Sequence, residues 1–150
     1  MSERFNLDRF LPFRLNRLAA EVSERLASLY AERFSLDIPQ WRVLATLSIG
    51  ECTAQDIVAS TRTHKSTISR AVQQLENRGL VERVVSEADK RAFMLRMTAK
   101  GHALFEDLKP VVLEYEEKLL ANLARGDVQA LMKGVAAFEN VLNLSQGMTK

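Results

Sequence analysis

The chain has 150 residues, of which 47% are hydrophobic, and a formal net charge of +2. That length suits one domain able to bury about 68–70% of its unfolded surface, and the apolar content excludes general disorder. The single cysteine, Cys52, excludes an internal disulfide and fits a reducing cytoplasm.

No apolar run reaches the length of a membrane span. The opening Met1-Ser2-Glu3-Arg4 leads into a stretch broken by Asp8, Arg9, Arg14 and Arg17, so no secretory signal is expected. Residues 8–34 then predict a long first helix. Leu11, Leu15, Leu18, Val22, Leu26 and Leu29 recur at steps of three and four, one continuous apolar stripe. Pro12 is acceptable only near the start, with Asp8 or a neighbour expected to cap. The stripe is longer than one small domain can cover, which points to self-association.

Pro39 suits the first position of a second helix running to about Ser48, with Trp41, Leu44 and Ala45 on its buried side and Leu47 at the margin. Gly50 ends it. Thr53-Ala-Gln-Asp56 has the form of a capping box and opens a third helix containing Ile57 and Val58. The polar stretch Ser60 to Thr63 supplies a turn.

The stretch from Thr63 to Gly101 is the most informative. Ile68, Val72 and Leu75 form one buried helical stripe, and Gly79 stops the helix as a residue able to take positive φ. The opposite face carries Ser66, Thr67, Ser69, Arg70, Gln73 and Gln74, with Lys65 at the start and no carboxylate before Glu76. Hydroxyls, amides and positive charge suit contact with base edges and phosphates. Two strands follow, Leu80 to Val85 and Ala92 to Met97, around the charged tip Ser86 to Arg91. The fold class is therefore mainly α with a small β-hairpin wing, a winged helix-turn-helix.

Thr98 is expected to cap the next helix, whose stripe is Leu104, Leu108, Val111, Tyr115 and Leu119, and Pro110 should kink it or remove one backbone bond. A last helix is expected after Asp127. Val128, Leu131, Val135, Phe138 and Leu142 make a heptad-like seam along it. Residues 8–34 and 102–146 thus read as dimerisation helices and residues 39–101 as the winged part of a single domain, 1–150. Two copies related by a two-fold axis would cover each other's seams.

Charge is unevenly placed. Residues 60–100 hold nine Lys/Arg against four Asp/Glu, and the remainder holds twelve against fifteen. Basic charge gathered on the expected reading head is the footprint of a nucleic-acid binder. An enzyme is not expected. His64 and His102 lie outside any Cys/His/carboxylate cluster, and no phosphate loop, metal-ligand spacing or nucleophile elbow appears, so no cofactor or metal is expected either. An adaptor built on a winged helix would replace the reading face with acidic or apolar residues, which this chain does not show.

Several motifs together resemble the MarR (multiple antibiotic resistance regulator) family of transcription factors. They are KSTISR at 65–70, LENRGLVER at 75–83, Asp89-x-Arg91, Met97-Thr98-x-x-Gly101 and, upstream, PQWRVLATL at 39–47. The family usually has Leu where this chain has Met97, a volume-conserving change. The resemblance covers nearly the whole chain and implies a cytoplasmic homodimer that binds a pseudo-palindromic duplex and acts by default as a repressor, with activation the alternative.

It implies that Lys65, Ser66, Thr67, Ser69 and Arg70 enter the major groove, Arg70 being the best placed for a bidentate contact to guanine. Arg91, beside Lys90, would enter the minor groove from the wing, and Asp89, repelled by DNA, would brace Arg91 or the turn. The family commonly binds anionic or aromatic effectors that weaken DNA binding. Here Leu18, Trp41, Leu44 and Tyr115 are the candidates to line such a site, with Arg14 or Arg17 to pair with an anion. Some relatives sense peroxide through a cysteine near the start of the first helix, which this chain lacks. Cys52 stands at the start of another helix, where the dipole lowers a thiol's pKa, but with no resolving cysteine an inert thiol is the expectation.

Overall fold

The computed structural model describes residues 3–85 and 93–144. The hairpin tip, with Asp89, Lys90 and Arg91, lies outside the described residues. The chain divides into two compact units, Met1–Ile38 and Pro39–Lys150.

In the first unit a short 3-10 turn, Leu7–Arg9, precedes helix α1, Leu11–Phe34. Asp8 does not cap the helix. It sits inside the 3-10 turn, which closes through Phe10 N–H to the Leu7 carbonyl at 3.0 Å, and Phe10 becomes the cap residue with no side-chain hydrogen bond. Pro12 in the first turn removes one of the donors that would otherwise lack a partner. Tyr30 and Leu36 are buried, whereas Leu11, Leu15, Leu18 and Leu29 of the predicted stripe stay exposed in the single chain.

The second unit contains the winged helix-turn-helix. Helix α2, Ile38–Leu47, buries Gln40, Val43, Leu44 and Leu47, the i, i+3, i+4, i+7 set of one helical face. That face is rotated from the expected one. Trp41 and Ala45 lie half-buried on its shoulder, and Leu47 belongs to the core. The Trp41 ring stacks on Phe105 with centroids 6.3 Å apart. Helix α3, Ala54–Thr61, contributes Ile57, and helix α4, Lys65–Asn77, contributes Ile68, Ala71, Val72 and Leu75.

A Schellman motif ends α4. Leu80 N–H donates to the Leu75 carbonyl at 3.0 Å and Gly79 N–H to Glu76 at 2.9 Å, with Gly79 at φ +72. Leu80 therefore closes the helix rather than opening the strand. Strand β1, Val81–Val85, pairs antiparallel with β2, Phe93–Met97, from Val81 opposite Met97 to Val85 opposite Phe93. Leu80, Val81, Leu95 and Met97 face the same core. The sequence gives no sign of a third rung, yet Cys52 pairs with Leu95 on the outer side of β2, through hydrogen bonds of 2.8 and 3.3 Å.

Helix α5, Ala99–Ala121, runs on through Pro110 and buries Gly101 and Leu108. Its start is locked to the end of α4. Thr98 Oγ1 accepts from Gly101 N–H at 3.0 Å and donates to the Gly79 carbonyl at 2.5 Å, and Thr98 N–H donates to Leu80. Helix α6, Arg125–Val141, starts earlier than expected, and Asp127 falls inside its first turn, where a carboxylate is favourable. No residue of α6 is buried, and Leu131, Val135, Phe138 and Leu142 are all exposed.

Candidate nucleic-acid interface

The site is built by α3, the turn after it and α4. Thr53 Oγ1 accepts from Asp56 N–H at 3.1 Å while Asp56 Oδ2 accepts from Thr53 N–H at 2.9 Å, the reciprocal capping box expected for α3. The turn to α4 passes through Arg62 in the left-handed region, φ 53. His64 then caps α4. Its Nδ1 accepts from Ser66 N–H at 3.2 Å and lies 2.8 Å from Ser66 Oγ. Because Nδ1 accepts from the backbone, a neutral His64 carries its proton on Nε2. Ser66 is thereby drawn into the cap.

Of the expected reading residues, Lys65, Ser66, Ser69 and Arg70 are exposed and Thr67 is half-buried. They share the turns of α4 opposite Ile68, Val72 and Leu75, all closed off in the core. The hydrophobic stripe fixes the helix in rotation, so the polar face has one direction to point.

On the hairpin the two arginines among the described residues are both paired with carboxylates, whereas the reading face is not. Arg83 meets Glu76 at 2.7 Å, and Arg96 meets Glu82 at 2.6 Å and Glu51 at 3.8 Å. These hydrogen bonds and charges hold the Arg96 guanidinium above its ordinary pKa. Lys65 and Arg70 have no carboxylate partner among the described residues, nor does Arg62 in the turn before them. Cations left unneutralised on one rigid face are those able to exchange counterions for phosphates. Arg62 and His64 were missing from the sequence-based set. The signal that would have found Arg62 was a basic residue inside the turn itself.

Cys52 is not an activated thiol. Burial first, and then the Asp56 carboxylate, push it up from 9.0 to about 11. The expected lowering by the helix dipole loses because Thr53, not Cys52, is the cap residue and Asp56 fills the helix N-terminus. A thiol whose folded pKa is raised adds stability that is fully present below the unfolded value, near 9.0, and is lost as pH rises through about 11. Alkylation of the folded protein should therefore accelerate only toward pH 11. An iodoacetamide rate profile with a midpoint at or below 9.0 would contradict this assignment.

The tentative effector residues are dispersed in character. Arg14 and Leu18 are exposed on α1, Trp41 and Tyr115 are half-buried, and Leu44 is 0% exposed. Among the described residues no group of three His, Cys, Asp or Glu is placed to hold a metal ion, and no helix is long and apolar enough to cross a membrane.

Comparison with known proteins agrees with this geometry. The model of the MarR family matches residues 34–92. The chain is 30% identical over 125 residues to the uncharacterised HTH-type transcriptional regulator YwoH of Bacillus subtilis, covering 83% of this chain and 90% of that one. It is 28% identical to the HTH-type transcriptional repressor IacR of Pseudomonas putida, over 87% of this chain and 78% of that one. Among solved structures it is similar to a MarR/EmrR family transcriptional regulator from Acinetobacter sp. ADP1. That match has a TM-score of 0.81 and 25% identity, and covers 93% of this chain and 99% of the other.

Proposed function

This chain belongs to the MarR family of winged helix-turn-helix transcription regulators, DNA-binding proteins rather than enzymes, and we propose that it acts as a homodimeric repressor on a pseudo-palindromic duplex site. The observation that carries the reading is the α4 face, where Lys65 and Arg70 project beside Ser69 with no carboxylate among the described residues to neutralise them. Repression by excluding polymerase is supported by the likeness to a relative named a repressor. A second copy is the occupant that fits the exposed seam of α6, where Val135 is 44% and Phe138 45% exposed in the single chain. Apolar side chains at heptad spacing favour a helix carrying the same pattern.

A two-fold dimer places the two recognition helices in successive major grooves, about 10–10.5 bp apart. An aromatic or anionic effector remains part of the proposal. The half-exposed Trp41 ring, stacked on Phe105, supports it, with Tyr115 as a further candidate in the same unit. Leu44, closed in the core, can act on such a site only by shape. An effector releases DNA only through unequal affinity for two arrangements of the reading heads.

The wing residues Lys90 and Arg91 complete the proposed footprint on the strength of the family resemblance, with Asp89 assigned to brace Arg91 or the turn. Titration of a duplex at increasing salt tests it. Arg91→Ala should weaken binding to every sequence and flatten the slope of log K against log salt by about 0.9 for each phosphate no longer neutralised. Wild-type affinity and slope in that variant would remove the wing from the interface.

A further inference from the structure

We propose that Gln40 and Arg42 on α2 are positioning residues for DNA recognition: they tie the recognition helix near both ends and set the angle of its reading face. The inference rests on the DNA-binding reading above and adds what aims the helix.

Gln40 is only 8% exposed, although Val43, Leu44 and Leu47 already give α2 an apolar face. A buried amide is costly unless it is hydrogen-bonded, so packing alone favours an apolar residue there. Its Nε2 donates to Gln74 Oε1 at 2.9 Å, in the last turn of α4. Further along α2, Arg42 Nη1 donates to Thr63 Oγ1 at 3.1 Å, just ahead of α4's first residue. Thr63 Oγ1 lies 3.0 Å from Thr61 Oγ1, which also lies 2.7 Å from the Ile57 carbonyl of α3. The guanidinium of α2 thus reaches through two hydroxyls to the end of α3. Between those hydroxyls stands Arg62 at φ 53, a conformation that a side-chain-bearing residue holds only where its surroundings impose it.

Two ties matter more than one. A helix of thirteen residues is about 20 Å long. Although its buried stripe from Ile68 to Leu75 fixes its rotation, loss of the tie at Thr63 leaves its first turn freer to tilt. A tilt of about 5° over the roughly 12 Å between Gln74 and Ser66 moves that end by about 1 Å, enough to spoil hydrogen bonds to base edges. Phosphate binding by flexible Lys and Arg side chains survives such a shift. Loosening α2 should therefore damage discrimination between sequences before it damages general affinity.

The full-length chain tests this with the tightest duplex recovered from a random library by the wild type, set against a scrambled duplex of equal composition. Arg42→Ala should lower the affinity ratio between the two about tenfold, the size of effect expected when one base is no longer read, with an unchanged salt slope. Thr63→Val should do the same, Thr63→Ser should behave as wild type, and the Arg42→Ala/Thr63→Val double variant should be no worse than either single one. Gln40→Leu and Gln74→Ala open the other tie from its two sides and should lower the ratio alike; a loss in Gln74→Ala alone would make Gln74 a base contact and overturn that tie.

A uniform loss with a slope reduced by about one unit would make Arg42 a phosphate ligand instead. Additive Arg42 and Thr63 effects would mean that each touches DNA separately, and an unchanged ratio with a lowered melting temperature would leave only a folding role. Any of these overturns the proposal while leaving the DNA-binding reading standing. Failure of the wild type to select any duplex overturns that reading, and this inference with it.

Discussion

Replacing Arg70 with alanine is expected to cost on the order of 1–3 kcal/mol on the preferred duplex and to relax preference at one base position. Arg70 stands in the second turn of α4, exposed and without a carboxylate partner among the described residues. Its guanidinium presents the donor fork that matches the O6 and N7 acceptors of guanine, a geometry that lysine lacks. The lysine variant therefore divides the two possible roles. If Arg70 reads a base, Arg70→Lys retains the salt slope but not the preference. If Arg70 holds a phosphate, Arg70→Lys binds nearly as well as wild type, and Arg70→Ala loses affinity equally on all sequences with a slope smaller by about 0.9. Binding isotherms on the preferred duplex and on its single-base variants, at two salt concentrations, separate these outcomes.

The largest stability effect is expected at Gly101. A Cβ built there lies 2.1 Å from the Leu80 carbonyl oxygen and 3.2 Å from Met97 Cβ. The obstructing atom is backbone, held by the hydrogen bond from Thr98 N–H at 3.0 Å, so no side-chain rotation relieves it. Alanine ordinarily gains about 0.8–1.0 kcal/mol over glycine within a helix. Overpacking costs about 1–3 kcal/mol, occasionally more, and with a fixed carbonyl the upper end should prevail. Gly101→Ala should thus lower the melting temperature by about 2–4 °C for each kcal/mol of stability removed. Gly126→Ala, with nothing within 4 Å of its Cβ, is the control and should be neutral or slightly stabilising. A Gly101→Ala melting temperature at or above wild type would show that α5 need not approach Leu80 so closely.

These two residues also mark how far the sequence could be read. Where a boundary is set by chemistry within a few residues, it was legible. The Thr53/Asp56 box, Gly79 at positive φ and the Thr98 cap all stand where their residue types placed them. Periodicity likewise identified Ile68, Val72 and Leu75 as the core side of the recognition helix, and hence the opposite side as the reading face. Asp8 misled because a local 3-10 turn, too short to leave a periodic signal, ended before the helix began. The rotation of α2 was missed because Trp41 draws attention as a large apolar residue, whereas Val43 and Gln40 fill the face turned to the core.

Distant pairings were out of reach. Nothing near Cys52 announces Leu95, and nothing near Gln40 announces Gln74, 34 residues away. The basic excess of residues 60–100 was legible as a number, but the choice of cations left for DNA was not. Part of that choice is made by Arg83 folding back onto Glu76, Arg96 pairing with Glu82 across the hairpin, and Lys100 donating to the Arg78 carbonyl. Gly101 was recognisable as part of a motif, yet its reason, a carbonyl 21 residues earlier in the chain, exists only in three dimensions.

The central claim is sequence-specific binding by a symmetric dimer, and selection of bound sequences from a random duplex library at physiological salt tests it most directly. The expected result is an inverted repeat whose half-sites lie about 10–10.5 bp apart, one helical turn. Recovery of no motif, with weak binding that disappears as salt rises, would contradict the claim and favour a winged-helix adaptor that meets protein rather than DNA.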